Sequence, residues 1–199
     1  MKTIKILAIG TSSSRKSINL ALAEYVAGLL ENVEVESLSV ADYELPLFSD
    51  EREVQLGQPA LARQFMDKIA EADALVLSFA EYNGTYTASF KNIFDWASRM
   101  DAKVFQYKPS LFLSASPGPG GASSVLRQAL ESAEYYGAEV VAGISVPTFA
   151  QKFDMEARQM SDELLRERLT KEMDKLYQLI LERRAIERGS RQPELSKSN

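Results

Sequence analysis

The chain has 199 residues, 45% of them hydrophobic, and a formal net charge of -5. That length buries one sizeable core, and the acidity weighs against a surface built for nucleic acid, whose phosphates it repels at long range. With no cysteine and no histidine, disulfides, thiol nucleophiles, thiolate-held clusters and the commonest general base are all excluded, so any redox chemistry needs a bound organic cofactor.

The first ten residues carry two lysines, Lys2 and Lys5, but too short an apolar run for a secretory leader. No stretch approaches the ~20 apolar residues of a bilayer span. The expectation is a cytoplasmic protein with no membrane or nucleic-acid partner. Ile4, Ile6, Leu7, Ala8 and Ile9 form a nearly continuous apolar run ending at Gly10, the pattern of a parallel strand covered on both faces. A hydroxyl-rich segment follows, and a helix is predicted from about Ser17 with Leu20, Ala23, Ala27 and Leu30 on one stripe. Val33 to Val40 reads as a second strand.

Residues 41–58 are polar and long for a simple connection, which suggests a lid, an interface segment or a packed surface loop. Asp50, Glu51 and Glu53 within it read as a solvated acidic loop rather than a metal site. Pro59 suits the first turn of a helix reaching about Ala72 on Leu61, Phe65 and Ile69. Ala74 to Phe79 is a third strand, and the following helix carries Phe90, Ile93, Phe94 and Ala97. On that helix Asp95 and Arg99 lie four apart, the spacing of a surface ion pair, and Trp96 reads as packing or interface.

Leu111 to Ala115 is a fourth strand. A helix from Ser123 to Tyr136 is expected to stop at Gly137, and Val140 to Val146 is a fifth strand. A last amphipathic helix runs from about Ser161 to Ile186. One domain over residues 1–188 and a disordered tail over 189–199 are expected. Strands alternating with helices imply a parallel, doubly wound α/β sheet.

Ligands of such sheets gather outside the carboxyl ends of the strands, where the strand order reverses. Three loops there have unusual composition. Residues 10–19 combine hydroxyls with Arg15 and Lys16 at a helix start, where unpaired amides and the helix dipole favour a phosphate. An ordinary loop capped by Ser14 or Ser17 is the alternative. The glycines of a Walker A or dinucleotide fingerprint are missing. Residues 80–85 hold Glu81, Tyr82 and the turn dipeptide Asn83-Gly84, and residues 116–121 hold three glycines and two prolines. Either could line a flat ligand or serve as a tight connector.

Taken together, the loops resemble those of the NADPH-dependent FMN reductase family, which includes quinone, azo and chromate reductases. The resemblance runs from Ile4 to about Val146. It rests on Glu81-Tyr82-Asn83-Gly84 followed by Phe90-Lys91-Asn92 and Asp95-Trp96, on the first loop ending Ser17-Ile18-Asn19, and on Ser116 to Gly121. It implies a flavodoxin-like three-layer fold with five parallel strands. By the same resemblance Ser12, Ser14, Ser17 and Asn19 hold the FMN phosphate, with Arg15 near it. Glu81, Tyr82, Asn83 and Gly84 line the ring and ribityl chain, and Ser116, Gly118, Gly120 and Gly121 follow its other edge.

The first loop is one residue longer than the usual family spelling, and Ala80 replaces a common proline. The implied activity is hydride transfer from NADPH or NADH to FMN and onward to a small-molecule acceptor, with no metal and no catalytic side chain. A homodimer or homotetramer is implied too. A flavodoxin-like electron carrier or a non-catalytic FMN-binding protein is the competing reading.

Overall fold

The computed structural model describes residues 3–190. Its centre is a five-stranded parallel sheet of β1 (Ile4–Gly10), β2 (Val33–Ser39), β3 (Ala74–Phe79), β6 (Lys108–Ala115) and β7 (Ala138–Val146), in the spatial order β2-β1-β3-β6-β7. The chain leaves β1 in one direction to make β2 and then returns to the other side of β1 for β3. The strand order therefore reverses between β1 and β3, the arrangement of flavodoxin-like folds, and ligands bind at that reversal.

Every residue of β3 is buried, and so is all of β1 from Ile6 onward. Helices cover both faces. On one side α1 (Ile18–Ala27) and α6 (Glu163–Ser190) pack over Ile6, Ala8, Val76, Leu111 and Leu113. On the other, α3 (Ala60–Glu71), α4 (Ala88–Met100) and α5 (Ser123–Ser132) pack over Leu7, Ile9, Leu75, Leu77 and Phe112. Leu169, Met173, Leu176 and Ile180 of α6 are all at most 2% exposed; burying each such side chain is worth about 1.5–3 kcal/mol. The α1 helix has more than one apolar stripe, because Leu22 and Val26 are fully buried as well where it packs on the sheet and alongside α6.

Several boundaries differ from expectation. Residues 50–56 are not a loop: Asp50–Leu56 form a short helix, α2, capped by Ser49, whose hydroxyl accepts from Arg52 N at 3.3 Å. None of its residues is buried, so hydrophobic periodicity could not reveal it. The cap, the acidic first turn and the Gly57 stop (φ +66°) were the available signals. The ion pair expected between Asp95 and Arg99 is replaced by two others. Asp95 pairs with Lys91 one turn earlier, and Arg99 reaches Glu53 of α2 at 3.0 Å.

The α5 helix ends at Ser132, and its last turn is tightened into a cap over residues 133–138. There Ala138 N donates to Ala133 O and Gly137 N to Glu134 O, with Gly137 at φ +75°. Beyond β7 lies a small hairpin absent from the sequence reading, β8 (Phe153–Asp154) with β9 (Gln159–Met160). The α6 helix continues through Ser190; the rest of the expected tail, residues 191–199, lies outside the described residues. Among the described residues no helix is long and apolar enough to cross a membrane.

Candidate functional site

The three loops singled out by composition leave β1, β3 and β6 at the same edge of the sheet. In the first, α1 comes so close to β1 that a Cβ on Gly10 would sit 2.6 Å from Leu20 Cβ and 2.7 Å from Leu20 Cα. Only glycine lets the helix N-terminus rest on the strand end. Ser17 is the N-cap, its hydroxyl accepting from Leu20 N at 3.0 Å, and that hydroxyl keeps its own proton to donate. Ser12 Oγ accepts from Ser14 N at 3.1 Å and lies 3.2 Å from the Tyr82 hydroxyl. Among the described residues none accepts from the backbone N–H groups of Ser13, Arg15 or Lys16. The loop therefore offers an anion a ring of unpaired donors at a helix N-terminus.

Asn19 is placed differently from Ser12, Ser14 and Ser17. It is 3% exposed, and its amide joins α1 to two strands. Its Oδ1 accepts from Ser78 Oγ at 2.7 Å and Ala115 N at 3.0 Å, while Nδ2 donates to Ala115 O at 3.2 Å. It holds the floor of the site together from beneath. Arg15 points outward and pairs with Asp42 at the surface.

The second loop is a two-stranded hairpin, β4 (Glu81–Tyr82) and β5 (Thr85–Tyr86). Both turn residues have positive φ, Asn83 at +54° and Gly84 at +81°, which is why an Asn-Gly pair occupies it. Tyr82 leaves 47% of its surface exposed, and its hydroxyl meets the first loop at Ser12. Glu81 turns the other way. Its Oε2 accepts from Val125 N at 2.9 Å, supplying the cap that Ala122, with no side-chain oxygen, leaves missing at the start of α5. Thr85 Oγ1 donates to Gln128 Oε1 at 2.9 Å, a second tie to the same helix.

In the third loop, Ser116 Oγ donates to Gly118 O at 3.1 Å, and Gly118 O also accepts from Thr148 N. A Cβ added to Gly118 or Gly120 would meet nothing within 4 Å. These two glycines leave open backbone beside the hairpin. Gly121 is the opposite case. It sits at φ +60°, and a Cβ there would lie 2.2 Å from Ser145 Oγ and 2.9 Å from Pro147 N.

Thr11 and Thr87 bind the first two loops together. Thr11 is fully buried: its Oγ1 accepts from Ala80 N at 2.9 Å, and its carbonyl accepts from Thr87 Oγ1 at 2.6 Å. Thr87 is also the N-cap of α4, accepting from Phe90 N. The distinctive stretch on α4 has a structural purpose as well. Asn92 Oδ1 accepts from Phe48 N at 2.8 Å while its Nδ2 donates to the carbonyls of Leu45 and Pro46. Trp96 Nε1 donates to Pro46 O at 2.8 Å, and its ring meets Phe48 edge-on. Together they clamp residues 45–48 against α4. That segment and Ser13 of the first loop line a cleft of about 410 Å³.

A family model for NADPH-dependent FMN reductases matches residues 4–151. The chain belongs to this family. Its relatives include an NAD(P)H-dependent FMN reductase of Pseudomonas aeruginosa, 34% identical over 131 residues that cover 64% of this chain and 69% of the relative. An NADPH:quinone oxidoreductase of Arabidopsis thaliana is 30% identical over 179 residues, covering 83% of this chain and 86% of that one. Among solved structures, a flavoenzyme NAD(P)H:(acceptor) oxidoreductase from Paracoccus denitrificans superposes with a TM-score of 0.71 at 22% identity, over 90% of this chain and 98% of that one; that likeness bears on the fold alone. As a member of the family, the chain is an FMN-dependent oxidoreductase that draws its electrons from NAD(P)H.

Proposed function

We propose that FMN lies across the carboxyl ends of β1, β3 and β6, with its phosphate in the first loop and its ring between the second and third. The observation that carries this is the cross-tying of the first two loops around open donors, with the second loop anchored to the helix that follows the third. Ser12 meets Tyr82, Thr11 holds Ala80 and Thr87, and Glu81 reaches Val125, while Gly118 and Gly120 leave room for a flat ring.

Ser12, Ser14 and Ser17 hydroxyls and the loop amides hold the phosphate, with Arg15 and Lys16 adding long-range positive potential. Tyr82, Asn83 and Gly84 border the ring on one side, and Ser116, Gly118, Gly120 and Gly121 on the other. Glu81 and Asn19 act as positioning residues, fixing the hairpin to α5 and α1 to the strands.

When bound, FMN supplies the redox chemistry, accepting hydride from NAD(P)H and passing two electrons to the acceptor. Overall, NAD(P)H and one proton are consumed, and an acceptor of the quinone type gains two electrons and two protons. With no histidine or cysteine in the chain, the protein's contribution is alignment and fixed backbone donors.

Residues 1–188 act as one FMN-binding domain, in the cytoplasm. The chain works as a homodimer or homotetramer; Leu47, Val54 and Leu56, exposed on the segment beside the site, support this, and sedimentation velocity tests it.

The decisive experiment is a visible spectrum of the purified protein, followed by anaerobic addition of NADPH. Yellow protein that bleaches is expected. Protein that is colourless and takes up no added FMN refutes the reading.

A further inference from the structure

Between the first and third loops, on the side away from the β4–β5 hairpin, lies an open groove of about 590 Å³. One end is formed by Ile18, the residue after the Ser17 cap, and by Pro117 of the third loop; its floor is Phe149 and Phe153. The two rings stack at 4.9 Å. The turn carrying Phe149 is hydrogen-bonded directly to the third loop, Phe149 N to Ser116 O and Thr148 N to Gly118 O. The groove is thus continuous with the loops assigned to the flavin.

Its outer wall is the β8–β9 hairpin. The family-model match ends at Gln151 and this hairpin begins at Phe153, so the wall lies just beyond the matched segment. Met155 stands at the tip, 41% exposed, an adaptable apolar side chain suited to contact with an aromatic face. The charges lining the groove have one sign: Asp154 and Glu156 contribute carboxylates and no cation lines it. Asp154 is held in place, its Oδ1 accepting from Glu156 N and Ala157 N at 2.8 and 2.9 Å. The neighbouring cations are engaged elsewhere, Lys152 with Asp162 and Arg158 with Glu24.

We infer that this groove is the acceptor's approach to the flavin, and that the β8–β9 hairpin selects uncharged aromatic acceptors over anionic ones such as sulfonated dyes or metal oxyanions. The inference rests on the flavin placement proposed above. An apolar floor with an acidic rim favours a neutral planar ring through burial and repels an anion through the two carboxylates.

Redox-inert probes separate binding from turnover. Naphthol and naphthalenesulfonate share a ring and differ in charge, and each is titrated calorimetrically into the FMN-loaded protein. Naphthol is expected to bind more tightly. In the double variant Asp154→Asn, Glu156→Gln the sulfonate should gain about threefold to tenfold in affinity at low salt while naphthol is unchanged. Met155→Ala should weaken both probes. Sulfonate affinity unmoved by the double variant, or naphthol affinity unmoved by Met155→Ala, overturns the inference. FMN uptake and bleaching by NADPH are followed on the same samples. Their loss in the wild-type protein defeats the flavin reading, whereas intact flavin behaviour with hairpin-insensitive probe binding defeats the groove alone.

Discussion

Replacing Asn19 with leucine separates support of the site from contact with the cofactor. Leucine has nearly the same volume, so the packing of α1 against β3 and β6 changes little, but three hydrogen bonds of 2.7, 3.0 and 3.2 Å disappear. The Ser78 hydroxyl can turn to another acceptor, whereas Ala115 N and O are fixed in the backbone of a residue that is 2% exposed. Each stranded buried group costs about 1–3 kcal/mol, so Asn19→Leu should destabilise the FMN-free protein by about 3–5 kcal/mol. Against a typical total of about 5–15 kcal/mol the domain still folds at low temperature.

Urea unfolding of FMN-free protein is the assay, because bound FMN would add its own stabilisation. The comparison is Ser14→Ala, at an exposed position. It should leave stability within about 0.5 kcal/mol while weakening FMN by the value of one hydrogen bond to a charged group, about 1.5–3 kcal/mol. A loss below about 1 kcal/mol for Asn19→Leu would refute the reasoning from stranded polar groups.

The glycines of the third loop should divide sharply. Gly121→Ala brings a Cβ into Ser145 Oγ and Pro147 N at a left-handed φ and should cost about 2–4 kcal/mol of stability. Gly120→Ala meets nothing in the protein and should leave the melting temperature intact while lowering FMN affinity, as flavin fluorescence titration would show. Burial pushes the Tyr86 phenol above its ordinary value of 10.0, with smaller opposing and reinforcing effects from Ser132 and Tyr136. The folded state therefore holds that proton more tightly than the unfolded chain, and stability present below pH 10 is lost as pH rises through the folded value. The urea midpoint should fall above pH 10, and Tyr86→Phe should flatten that fall.

Much of the framework was readable along the chain, since the apolar runs of β1 and β3 are buried on both faces and punctuated by turn residues. Their alternation with helices placed three compositionally odd loops at one sheet edge, and the Ser17 and Thr87 caps and the Gly137 stop were local signals. What these residues do toward one another was not readable. Asn19 looks like one more polar residue in a serine-rich loop, and only the fold brings its amide to Ala115, 96 positions away. Glu81 looks like part of a ligand loop until α5 presents an uncapped N-terminus to it. The α2 helix buries nothing and so has no apolar stripe to betray it, and the β8–β9 hairpin is too short for alternation to show. Sequence determines the elements through local periodicity and capping. The tertiary structure alone decides which polar groups carry the scaffold and which stay open to a ligand, because that depends on partners brought together across the sheet.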